Sequence, residues 1–122
     1  MPRRLIGMLI VLLVVLPAHI RAHAKLIRSE PKRDAVLLTA PLRVHLWFQG
    51  RIEARFSQVS VWDATGKQVD TRDVQVSKED AASVSIGLVS LTPGTYTVKY
   101  RILSVDSHMS EGQFPFTFED RK

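Results

Sequence analysis

Cysteine is absent from this sequence of 122 residues, so neither a disulfide framework nor thiolate chemistry is available to it. Any metal site must be built from nitrogen, carboxylate oxygen or thioether. Equally missing are a G-x-S-x-G elbow, a glycine-rich phosphate loop and an H-E-x-x-H helix, which removes the common hydrolase, nucleotide and zinc-protease signatures. From residue 23 onward no segment keeps helical apolar spacing for three turns. The longest apolar run, Leu5 to Leu16, falls well short of the roughly 20 residues that a membrane span needs. What is present argues for a packed domain: 45% of residues are hydrophobic and 24% charged, which excludes disorder. The length suits one domain.

The formal charge of +5 is unevenly placed. Arg3, Arg4 and Arg21 lie in the first 22 positions, where there is no acidic residue, and the 17 basic residues are thereby reduced to 14 against 12 acidic ones from residue 23 onward. A net of +2 is an ordinary surface, not one built for polyanions, and nucleic acid is excluded as a partner.

Arg3-Arg4, the apolar run, the helix-breaking Pro17 and the small residues beyond it have the layout of a secretory signal peptide over residues 1–22. The arginine pair also fits twin-arginine export. Either route delivers a mature domain, residues 23–122, to the periplasm. The segment Ala18-His19-Ile20-Arg21-Ala22-His23-Ala24 offers two cuts. Cleavage after Ala22 makes His23 the new N-terminus, whereas cleavage after Ala24, the better A-x-A match, leaves Lys25 first.

The remainder predicts an all-β fold. Lys25 to Ser29 is a strand ended by Pro31, followed by the polar turn Lys32-Arg33-Asp34. Leu42, Val44, Leu46 and Phe48 alternate with Arg43, His45, Trp47 and Gln49, the period of a half-buried strand. Phe56 to Trp62 and Lys67 to Thr71 flank the turn Asp63-Ala64-Thr65-Gly66 and read as a hairpin. Ser83 to Leu88, the alternation through Tyr96, Val98, Tyr100 and Ile102, and Gln113 to Glu119 with its Phe114, Phe116 and Phe118 stripe complete the set. Pro115 points to an edge strand. About seven short strands at turn spacing predict an immunoglobulin-like Greek-key β-sandwich or barrel, and Leu91-x-Pro93-Gly94-x-Tyr96 is placed where such domains fasten a loop with a tyrosine hydroxyl.

Chemistry is sparse. Asp106 and His108 are two residues apart directly after the Tyr96–Ile102 strand, so in extended chain they project to one side and can share a metal ion. Alone, such a pair is commonly a turn with a solvated histidine. An N-terminal His23 would add a chelating α-amine and imidazole, and the set of His23, His108 and an Asp106 oxygen suits Cu(II), which prefers tetragonal nitrogen and oxygen ligands. Binding should weaken as pH falls, because protons compete for the nitrogens. His45 reads as decoration of an exposed strand face, Trp47 and Trp62 as packing, and Lys32-Arg33 as a solvated turn.

Taken together, His23-Ala24-Lys25-Leu26, Ser29-Glu30-Pro31, Val44-His45-Leu46-Trp47-Phe48, the run Pro93 to His108, and Gly112 with Phe116-Thr117-Phe118 resemble the CopC family of periplasmic copper-resistance proteins. The resemblance spans the mature chain. It implies a non-catalytic Cu(II) carrier that holds copper through His23, Asp106 and His108 and is associated with an inner-membrane CopD-type copper transporter. Some members bind Cu(I) through a methionine-rich loop. Here Met1 and Met8 fall in the leader and only Met109 remains, which implies the Cu(II)-only variety. Relatives carrying an acidic residue after the phenylalanine matching Phe48 differ from this chain, which has Gln49-Gly50. Two other classes fit parts of the pattern. A histidine brace resembles the site of lytic polysaccharide monooxygenases, although Asp106 would occupy space that oxygen needs. A sandwich without metal would serve as an interaction domain.

Overall fold

The computed structural model describes residues 25–120. The leader, its cleavage site and His23 lie outside the described residues. Eight strands form: β1 (Leu26–Glu30), β2 (Val36–Leu37), β3 (Arg43–Phe48), β4 (Gln58–Trp62), β5 (Gln75–Val76), β6 (Ser83–Gly87), β7 (Gly94–Leu103) and β8 (Met109–Phe118), with one 3-10 turn at Ala54–Phe56. They make two four-stranded sheets, β1-β3-β6-β5 and β2-β8-β7-β4. No helix among the described residues is long and apolar enough to cross a membrane.

Alternation explains the sandwich. Val44, Leu46 and Phe48 of β3, Val84 and Ile86 of β6, Val59 and Val61 of β4, Val98 and Ile102 of β7, and Phe114 and Phe116 of β8 all turn inward and are buried. Each large apolar side chain so buried contributes about 1.5–3 kcal/mol. The Tyr96 hydroxyl donates to the Thr92 carbonyl and fastens the turn before β7, as the Leu91–Tyr96 pattern predicts. Leu42 breaks the expected alternation. It lies before β3 and is 82% exposed.

Pro115 sits in β8, which is flanked by β2 and β7, so the expectation of an edge strand is only locally correct. Its carbonyl accepts from the Asp34 amide, and β2 pairs with β8 only from Thr117 onward. The missing N–H of the proline therefore falls where no ladder partner is required.

The expected hairpin return also takes another form. The turn is present: the Asp63 amide donates to Lys67 O, and Gly66 takes φ 85, a value that favours glycine. Beyond it only isolated bridges form, at Trp62–Gln68 and Asp70–Leu88, and the next strand is β5 in the opposite sheet. Asp70 causes the switch. Its carboxylate accepts the Val61 amide at 2.9 Å, taking the place of a ladder carbonyl, while the next residue, Thr71, donates its amide to Gly87 of the other sheet.

Candidate metal centre

β7 and β8 are joined by a tight loop whose ends are closed by the Ser104 amide donating to His108 O at 2.9 Å. Three residues, Val105, Asp106 and Ser107, lie between. Ser107 takes φ 70, the left-handed residue that a short hairpin loop of this kind requires. Asp106 and His108 are thus brought to one place by a turn rather than by strand alternation.

His108 Nδ1 lies 3.0 Å from Asp106 Oδ1, although off the line of a proper hydrogen bond. Ser104, itself 2% exposed, donates its hydroxyl to the same Oδ1. The Ser104 hydroxyl and then His108 hold the Asp106 carboxyl below its ordinary range, so it is ionised at neutral pH. Every described contact to this carboxylate uses Oδ1, which leaves Oδ2 for another partner. The role of Ser104 was not legible in the sequence, because a serine two residues before an aspartate has no distinctive signal.

A second segment supports this loop. The Val105 amide donates to Arg51 O, the Glu53 amide donates to Leu103 O, and Ser104 bridges Ile52. Ser57 adds a link, accepting the Leu103 amide at 3.0 Å and donating to Glu53 O at 2.7 Å. The same segment reaches the start of β1, where the Gln49 amide donates to Lys25 O at 2.9 Å. Residues 49–53 therefore hold the first described residue and the Asp106–His108 loop at one end of the sandwich.

His45 is elsewhere, on the outer face of β3, stacked on Trp47 with ring centroids 5.7 Å apart. Arg28 covers the Trp47 ring at 4.3 Å, and Trp62 donates its indole N–H to Ser60, so both tryptophans serve packing. Among the described residues no three histidine, aspartate or glutamate side chains gather as a metal-ligand set.

The family profile of the CopC domain matches residues 26–119. The chain is 29% identical over 110 residues to the copper transport protein CutJ of Bacillus subtilis, a match that covers 89% of this chain and 20% of CutJ. It thus spans about a fifth of that relative's length. Protein YobA of Escherichia coli K12 is 31% identical over 97 residues, covering 79% of this chain and 78% of YobA. Among solved structures, CopC from Methylosinus trichosporium OB3b has a TM-score of 0.77 at 30% identity over 82% of this chain and 97% of that one. PcoC, a methionine-rich copper resistance protein from Escherichia coli, has a TM-score of 0.70 at 28% identity over 80% of this chain and 100% of its own.

Proposed function

The chain belongs to the CopC family, and from that premise we propose that it is a non-catalytic Cu(II) carrier of the periplasm, holding the ion through His23, Asp106 and His108. The observation that carries the reading is the tether of Lys25 to Gln49, in the segment that also holds the Asp106–His108 loop. His23 is two residues before Lys25, and two residues of extended chain reach about 7 Å. In this reading residues 1–22 are a leader removed after Ala22, and residues 23–122 are the working domain. The freed α-amine and imidazole of His23 supply a chelate, His108 a further nitrogen, and Asp106 Oδ2 an oxygen, a donor set that suits tetragonal Cu(II).

A methionine-lined Cu(I) site is not part of the proposal, since the chain has three methionines and two of them precede residue 23. The relation to a copper transport protein several times longer supports transfer of the ion to an inner-membrane transporter of the CopD type. The test joins two measurements on protein recovered from the periplasm. Its intact mass should begin at His23, and it should take up one Cu(II) that His108→Ala and Asp106→Ala weaken by more than about 100-fold, beyond what outer-shell changes cause. A mass beginning at Lys25 or Met1 would overturn the brace.

A further inference from the structure

Beside the metal loop, a cleft of about 560 Å³ opens between the start of β1 and the start of β8. That size lies within the range of small-molecule sites, roughly 300–1,000 Å³. Its lining includes Lys25, Arg33, Gln49, Tyr100, Ser110 and Glu111. The charges do not cancel. Glu111 is engaged by Arg101 at 2.9 Å on the outer side of β7, whereas neither Lys25 nor Arg33 forms an ion pair with a described carboxylate.

Tyr100 gives the cleft a fixed donor. Its ring meets Phe48 edge-on at 5.5 Å and lies across β8 above Gly112, where a Cβ would come within 2.3 Å of the hydroxyl. Glycine at 112 is what admits the phenol to this position. Burial keeps the phenol protonated beyond its usual range, so it presents O–H at neutral pH. Among the described residues the hydroxyl has no hydrogen-bond acceptor. Two cations without carboxylate partners, a phenol, a serine hydroxyl and an amide thus line one opening, beside the apolar Leu26 and Met109 and the Glu111 carboxylate that Arg101 engages.

We propose that this cleft is a carboxylate-binding site, taking a small organic polycarboxylate or the carboxylate side chain of a partner against Arg33, Lys25 and the Tyr100 hydroxyl. Arg33 supplies the planar fork that pairs with a carboxylate through two hydrogen bonds. Met109, the residue after His108, also lines the cleft, as does Lys25. If the copper reading also holds, an anion seated here adjoins the metal ligands and makes copper exchange sensitive to the organic acid that accompanies the ion. The cleft itself requires no copper.

Citrate titrated into the metal-free mature protein at low ionic strength, followed by amide NMR shifts, tests the proposal. Saturable shifts at Lys25, Gln49 and Ser110 are expected, with affinity about tenfold weaker in Arg33→Ala, as loss of a charge-assisted bond implies. Tyr100→Phe should lose a smaller factor while keeping the ring packing. Arg55→Ala removes a positive charge outside the cleft and should leave the affinity unchanged. Absence of saturable shifts, or equal weakening by Arg55→Ala and Arg33→Ala, would overturn the site in favour of diffuse charge attraction. Competition by an aspartate-rich peptide would assign the carboxylate to a partner chain, and its failure to compete would assign it to a free acid; both outcomes uphold the cleft. Because binding is read without metal, its failure is separable from failure of the copper reading.

Discussion

Single side chains decide both the shape of the candidate site and the path of the chain. Ser104 donates to the Asp106 carboxylate from a buried position and so orients a proposed ligand without being one. Ser104→Ala is expected to weaken Cu(II) binding by about tenfold, the scale of lost outer-shell support, with the β-sheet circular dichroism unchanged. Asp70 acts on the backbone instead, since its buried carboxylate accepts the amides of Val61 and Arg72. Asp70→Ala strands the Val61 donor and should cost about 1–3 kcal/mol in denaturant unfolding. Asp106 and His108 could be singled out as candidates from the sequence because a carboxylate and an imidazole at this spacing can share a metal ion, although the pair alone commonly marks no more than a turn. Ser104 and Asp70 could not, because their work depends on where the fold places a neighbouring amide.

At the level of strands and turns, what alternation encodes was readable and what partners impose was not. β3, β7 and β8 carry clear two-residue periods, and their buried faces follow from them. The strands β2 and β5 have two residues each, too few to show a period, and exist because β8 and β6 offer edges to pair with. The Lys67–Thr71 segment misleads for a related reason: its composition suits a strand, yet the Asp70 carboxylate replaces the ladder and sends the chain to the other sheet.

Asp73 then anchors that crossing, accepting the Thr71 hydroxyl at 2.6 Å and the Gly87 amide at 2.8 Å, with Arg43 nearby. These bonds, Thr71 first, lower its carboxyl from 3.8 to about 2. A depressed folded value means that the ion stabilises the fold above its ordinary range and that this contribution fades as the carboxyl protonates. Unfolding midpoints should therefore fall as pH drops from 3.8 toward 2, and Asp73→Asn should flatten that limb of the profile.

For the molecule as a whole, the absence of cysteine removes disulfide redox from folding, and the continuous apolar core between the two sheets is expected to hold the fold without metal. Stripping copper with EDTA should leave the β-sheet spectrum intact. At free copper about 100-fold above Kd, ligation adds about 2.7 kcal/mol, so removal should lower Tm by roughly 10–20 °C in a domain of this size. Loss of the β spectrum on chelation would show instead that the core is insufficient alone. The sandwich and the position of the loop between β7 and β8 were open to a reader of the sequence; the shared support of residues 49–53 was not, because it joins segments far apart along the chain.

That shared support has a mechanical consequence. With Lys25 pinned by Gln49 and Val105 pinned by Arg51, copper held between His23 and His108 would close almost the whole mature chain into one covalent-and-coordinate ring. Closing so long a loop removes more disorder from the unfolded chain than a short staple does. The ion would then act as a removable clasp, whose loss returns that disorder to the unfolded chain.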